Sequence, residues 1–290
     1  MRLPSAPLSC LLALAGLLAA CGKDAPDLPP PSPALWEVIG ANGEHGYLFG
    51  TVHALPEGFD WETDTIEQAF ERSETLAVEL DPRSLDDDLF WELATTEGLG
   101  RPSLRVSPAH RRALAALIEK SYWQDEDLAD TESWAVAMIV SDSLAFGESE
   151  NGVDRALLAM ADSRRVVELE GYFGQLAIFD TLPPQDQIDM LEILADSASG
   201  AAQEAEAQVG AWRRGDVATL EASLAEGLMA DPELRAALLV QRNLAWAEQV
   251  EQLLQSGDTP FVAVGAAHLL GADGLPRLLA ARGYTVTRIQ

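Results

Sequence analysis

Two short stretches of this chain end in histidine, and both carry the same spacing. Gly50-Thr51-Val52-His53 follows the apolar run Tyr47-Leu48-Phe49, and Gly265-Ala266-Ala267-His268 follows Phe261-Val262-Ala263-Val264. The chain has four histidines in all, and two of them occupy these matched places. Two imidazoles with one or two carboxylates are a sufficient ligand set for Zn, Mn, Co or Fe at a catalytic centre, with positions left for water. A metal of this kind lowers the pKa of bound water and polarises a carbonyl. A carboxylate beside it can take the proton, and an arginine can stabilise the oxyanion.

Candidates for the carboxylate lie in two other apolar runs. Glu79 interrupts Leu76-Ala77-Val78-Glu79-Leu80, and Glu168 and Glu170 alternate in the run from Arg165 to Gly171. A carboxylate buried in such a run needs a partner or a metal. On a half-exposed or edge strand it simply faces outward, and that reading is open for Glu79 and Glu168. Arg242 falls in the stripe Leu234, Leu238, Trp246, Val250, Leu253, where an apolar residue is expected. A guanidinium there either snorkels to the rim or pairs with a carboxylate. Taken one at a time, each histidine reads first as a hydrogen-bonded core imidazole. The expectation that organises the rest is that His53 and His268 meet across one site.

The elements that must position these residues are legible as hydrophobic periodicity. Short apolar runs with β-branched and aromatic residues read as buried strands. Each Gly-x-x-His then lies just past the carboxyl end of a strand, where open α/β sheets hold their ligands. Residues 35–39 and 47–52 form a hairpin through Asn42-Gly43. Residues 64–72 read as a helix, 76–80 as a strand ended by Asp81-Pro82, and roughly 84–163 as helical. Within that span Ser107-Pro108 opens a helix, and His110 in its first turn reads as a solvated surface histidine. Helices follow over 174–214 and 216–226, and Asp231-Pro232 caps a long helix reaching about Gln255. A short helix over 275–281 and a closing strand over 284–289 end the chain. The expected fold is α/β: a central mixed sheet built from N- and C-terminal strands around a large helical middle section.

Composition narrows the partners. The 290 residues carry 47 acidic and 19 basic side chains, a formal charge of -28, so nucleic acid is a poor partner because phosphate is repelled. Residues 1–20 have a brief positive start and an apolar stretch too short to span a bilayer as a mature helix. The stretch ends Leu18-Ala19-Ala20-Cys21, which resembles the lipobox of bacterial lipoproteins. That resemblance implies cleavage before Cys21, lipidation of its thiol, and attachment to the cell envelope. Gly22 after the cysteine implies the outer membrane, facing the periplasm. The alternative is an ordinary secretory signal with an incidental cysteine. Residues 21–34 are proline-rich and read as an extended tether, leaving 35–290 as the domain. Cys10 and Cys21 are the only cysteines, so the domain has no thiol nucleophile, cysteine-ligated zinc or disulfide. P-loop, G-x-S-x-G, dinucleotide and H-E-x-x-H patterns are absent.

Gly50-Thr51-Val52-His53-Ala54-Leu55-Pro56, Val78-Glu79-Leu80, Leu169-Glu170 with Gln175, Arg242-Asn243, and Val264-Gly265-Ala266-Ala267-His268-Leu269 with Gly271 and Gly274-Leu275 together resemble the TraB/GumN family. That family is related to the Tiki metalloproteases. The resemblance runs from Leu35 to the end of the chain. It implies an α/β fold that brings the two Gly-x-x-His motifs together, and metal-dependent hydrolysis of a peptide or protein substrate. It further implies His53 and His268 as ligands of a divalent metal, Glu79 as third ligand or general base with Glu170 next in line, and Arg242 as a site-lining cation. The TraB branch lowers pheromone activity, which peptide sequestration without cleavage also achieves.

The lipobox resemblance generates a direct test. Globomycin treatment, or Cys21→Ala, is expected to leave an unprocessed precursor on a gel of membrane fractions. Normal maturation under both conditions would refute lipidation at Cys21.

Overall fold

The computed structural model describes residues 29–290. The expected signal segment, Cys21 and most of the tether lie outside the described residues. The folded unit comprises Pro31–Gln290.

Six strands form one mixed sheet: β1 (Leu35–Ile39), β2 (His45–Thr51), β3 (Thr75–Val78), β4 (Arg165–Glu168), β5 (Pro260–Gly265) and β6 (Thr285–Arg288). Their order is β4-β3-β5-β2-β1-β6. β4, β3, β5 and β2 are mutually parallel. β1 runs against both of its neighbours. The hairpin between β1 and β2 forms as expected, with Gly43 at φ 93 supplying the left-handed residue that the tight turn requires.

β2, β3 and β5 are buried along almost their whole length, as strands covered on both faces must be, and this is why they read as unbroken apolar runs rather than alternations. One face packs an aromatic cluster of Tyr47, Phe49, Trp61, Phe70, Trp212 and Phe261. The other packs Leu48, Val262, Val264, Trp246, Val250 and Leu279. The helical middle section has a core of its own, built on Leu114, Ile118, Val136, Val140, Leu191 and Leu234.

Several local expectations are corrected. β3 ends at Val78, so Glu79 stands just beyond the strand and is buried at 7 % exposure. An outward-facing Glu79 is ruled out because β3 lies between β4 and β5 with both faces covered. The long helix is continuous to Gln255 but opens into a π-turn over Ala236–Val240. His110 is at the surface but partly covered: its ring, 20 % exposed, lies between Glu192 and Asp196, with the Ser107 hydroxyl 2.8 Å from Nδ1. These acids come from the neighbouring Pro184–Ser197 helix, which no local pattern around residue 110 reveals.

The parallel arrangement carries the functional consequence. Chains leave β2, β5, β3 and β4 at the same sheet edge, and the first polar residues they deliver there are His53, His268, Glu79 and Glu170. The loop bearing His53 is braced by Gly152, where an added methyl would stand 2.3 Å from the His53 carbonyl oxygen. Gly152 has an ordinary φ of -61, so space alone demands the glycine. Gly152→Ala is therefore expected to cost about 1–3 kcal/mol through overpacking, read as a lower midpoint in urea unfolding. An unshifted midpoint would show that the loop has room to spare.

Candidate active site at the carboxyl edge of the sheet

Glu79 is the hub. Its Oε1 accepts the Gly265 N–H at 2.6 Å and its Oε2 accepts Nη2 of Arg242 at 2.7 Å. The missing side chain of Gly265 leaves a small, closely walled spot. A Cβ there would lie 3.1 Å from Glu79 Oε1, 3.4 Å from His53 Nε2 and 3.7 Å from His268 Cδ2. The glycine of the second motif is thus a matter of room, and the structure brings His53, His268 and Glu79 around one point. Burial alone would push the Glu79 carboxyl up. The charges of His268, His53 and Arg242 and the Gly265 N–H outweigh it and hold the group below the ordinary carboxylate range. Of these charges, His268 adds its part only in acid, for the reason that follows.

His268 sits in the short turn Ala266–Leu269 and is buried. Its Nδ1 lies 2.6 Å from Asn243 Oδ1. The Asn243 amide nitrogen donates to the carbonyls of His268 and Asp273 at 3.2 and 2.8 Å. With both amide protons spent on carbonyls, Oδ1 must accept, so Nδ1 of His268 carries the proton and Nε2 presents its lone pair. Burial pushes the imidazole down to about 4, against the pull of Glu79. The ring is neutral at pH 7, with Nε2 3.3 Å from Arg242 Nη1 and 3.9 Å from Glu79 Oε1. Trp246 packs against it with ring centroids 4.4 Å apart.

Arg242 pairs rather than snorkels. Its side chain is 11 % exposed, and besides Glu79 it contacts Glu170 Oε2 from Nε at 2.9 Å and from Nη2 at 2.8 Å. Nη1 donates to the Leu238 carbonyl in the π-turn at 3.1 Å, and the guanidinium lies 4.6 Å over the Trp246 ring. π-turns inserted in helices concentrate at functional positions. Burial pushes the Glu170 carboxyl up despite Arg242. Its second oxygen, Oε1, is buried without a hydrogen-bond partner among the described residues. Glu168, by contrast, turns to the loop after β3, where it accepts the Asp81 N–H at 2.7 Å.

His53 has the opposite environment to His268. Its ring is 68 % exposed, and Nδ1 lies 2.8 Å from Oδ2 of Asp154. The Asp154 charge raises the imidazole to about 9. Asp154 also accepts the Thr51 hydroxyl at 2.7 Å. Sequence reading misses Asp154, because an acid in the first turn of a helix is ordinary there and nothing local ties it to a histidine so distant in the chain.

Both imidazoles therefore have Nδ1 engaged, as outer partners impose on metal-ligating histidines; His53 turns Nε2 to the Gly265 spot, whereas His268 turns its Cδ2 edge there and faces Arg242 Nη1 with Nε2. As placed, no group of three or more His, Cys, Asp or Glu side chains among the described residues is close enough together to hold a metal ion. The Arg242 guanidinium lies between Glu79, Glu170 and His268, in contact with all three. The donor types and tautomers fit a divalent metal; the carboxylates are held by an internal cation instead.

Comparison with known proteins places the chain. Residues 34–288 match the TraB/PrgY/gumN family, and the chain belongs to that family. It is 26 % identical over 248 residues to the uncharacterized protein YbaP of Shigella flexneri and, equally, to that of Escherichia coli K12, covering 81 % of this chain and 88 % of each relative. No solved structure matches it.

The network predicts its own fragility. Arg242→Met leaves two buried carboxylates without their cation and is expected to cost about 3–5 kcal/mol at neutral pH, partly regained by adding Glu170→Gln. The depressed pKa of Glu79 gives the pH sign: its contribution is in place above its ordinary 4.5 and is lost as pH falls through the depressed value. Urea unfolding of Arg242→Met should show a smaller loss on the acid side than the wild type does. An equal acid loss in both would mean that Arg242 does not hold Glu79 ionised.

Proposed function

We propose that this member of the TraB/PrgY/gumN family is a metal-dependent hydrolase acting on peptides, anchored in the cell envelope through lipid on Cys21. The observation that carries the reading is the convergence of His53 Nε2, Glu79 Oε1 and His268 on the spot beside Gly265. His53, Glu79 and His268 would hold the metal, of the Mn, Co, Zn or Fe class. Bound there, it supplies a Lewis acid for the scissile carbonyl and a water of lowered pKa.

The chain's own residues divide the remaining work. His268 is neutral at pH 7 and would ligate without losing a proton. His53 must shed one, so metal affinity rises with pH towards about 9. Glu170 is set apart from Glu79 by its orphan oxygen. Oε1 is the atom that takes up and returns a proton, while Arg242 keeps the other oxygen in place. Arg242 also brings fixed positive charge to the edge where an oxyanion develops. The peptide class and the envelope location rest on the likeness to the Tiki branch and to lipoprotein signals.

A second reading has a specific observation in its favour. Both Glu79 oxygens and His268 Nε2 already face protein donors, which suits a site that binds a peptide without turning it over. Mass spectrometry of a peptide library after incubation separates the two, since intact peptides favour sequestration. Under the hydrolase reading, elemental analysis of the purified chain is expected to find a stoichiometric divalent metal that is lost in His53→Ala and His268→Ala. Chelator should abolish cleavage, and Glu170→Gln should lower kcat by about 10²–10⁴. A metal-free protein whose behaviour is unchanged in both histidine variants would end the proposal.

A further inference from the structure

The helical middle section sends one segment back to the sheet edge, and it lands on the loop that carries His53. Glu148 and Leu55 exchange backbone hydrogen bonds at 3.0 and 3.3 Å, and the Val153 N–H donates to the Val52 carbonyl at 3.0 Å. The Asn151 amide donates to the Leu55 carbonyl at 3.2 Å. Gly152 lies flush against the His53 carbonyl. The segment then opens the helix Val153–Met160, and Asp154 stands in its first turn.

Asp154 uses both oxygens on the His53 motif. Oδ1 accepts the Thr51 hydroxyl at 2.7 Å and Oδ2 meets His53 Nδ1 at 2.8 Å. The carboxylate is 16 % exposed and the imidazole 68 %. An exposed ring has several rotamers open to it. Among the described residues Asp154 is the one hydrogen-bonding partner of the His53 ring, so the direction of Nε2 hangs on it.

We infer that Asp154, backed by Thr51, is a positioning residue that keeps the His53 proton on Nδ1 and aims the Nε2 lone pair at the spot shared with Glu79 and His268. The geometry stands by itself; the consequence for metal binding rests on the hydrolase reading above. His268 supplies an internal comparison, because Asn243 Oδ1 holds its Nδ1 in the same way. The two rings are aimed by one device, an acceptor behind Nδ1, which is charged for the exposed ring and neutral for the buried one. Losing such an outer partner typically costs about 10–100-fold in metal affinity.

The test compares wild-type full-length chain with Asp154→Ala, Asp154→Asn and Thr51→Val. Cobalt(II) affinity is measured by competition with a chromogenic chelator. The ¹⁵N shifts of the His53 ring are recorded above its titration near 9. In the wild type the neutral ring is expected to carry its proton on Nδ1. Asp154→Ala should shift it to the Nε2–H form that a free histidine side chain favours, with cobalt affinity falling about 10–100-fold. Asp154→Asn, whose amide oxygen still accepts from Nδ1, should keep the tautomer and lose less affinity, and it covers the case in which the alanine variant folds poorly. Thr51→Val should fall between wild type and Asp154→Ala. Variants that keep the wild-type tautomer and bind cobalt as tightly as the wild type overturn the inference. A wild type that binds no cobalt removes the metal reading alone. The tautomer then decides the role of Asp154: its loss in Asp154→Ala sustains the role, and its retention ends it.

Discussion

A guanidinium held between two buried carboxylates is the constraint on which the site depends. The side chains of Arg242, Glu79 and Glu170 are 11 %, 8 % and 8 % exposed, and charges taken so far out of water are tolerated only when paired and hydrogen-bonded. The pairing draws on three separate parts of the chain. Glu79 comes from the end of β3, Glu170 from beyond β4, and Arg242 from the helix that leads into β5. None of the three can shift without stranding a charge, so the cluster fixes where the strand ends and the long helix stand relative to one another. The π-turn at Ala236–Val240 belongs to the same arrangement, since its Leu238 carbonyl takes one of the guanidinium donors.

The sheet makes this cluster attainable. Parallel strands deliver their following residues to one edge, and in the order β4-β3-β5-β2 the four neighbours contribute one polar side chain each. Residues from both ends of the sequence become neighbours because β2 pairs directly with β5, Gly50 opposite Val264 and Thr51 opposite Gly265. The two Gly-x-x-His motifs therefore lie side by side across a single strand pair, offset by one residue. Their glycines serve close approach: an added Cβ at Gly50 would stand 3.0 Å from Ala266 Cα, and one at Gly265 would crowd Glu79 and His53.

Much of this was legible in the sequence, and the limits have physical causes. The buried strands announced themselves as apolar runs, and the matched motifs marked their carboxyl ends. Arg242 stood out as a charge in an apolar stripe, and the structure resolves that conflict with partners that the stripe itself could not name. Glu79 left two readings open because a single charge in a short run looks the same whether the strand is half-exposed or flanked on both sides. Sheet order decides it, and sheet order is a long-range property. Asp154 and the acids around His110 were illegible for the same reason. Each is an ordinary helix residue by local pattern, and its role arises from the element packed against it.

The two histidines show how far environment overrides motif. His53 and His268 share one spacing and one position relative to their strands, yet the first is exposed and held charged while the second is buried and held neutral. The difference lies in the Asp154 charge behind one ring and in the burial of the other, whose Nδ1 has only a neutral acceptor behind it. A carboxylate stabilises the imidazolium and suits a ring that water can reach. An amide oxygen adds no charge, and in a pocket beside Arg242 an imidazolium would meet a second cation with little solvent to screen it. Matching each acceptor to the burial of its ring leaves the Nε2 of His268 neutral against Arg242 Nη1 and the Nε2 of His53 protonated beside Gly265. The edge of the sheet thus carries one imidazole that is neutral at pH 7 and one that is held protonated.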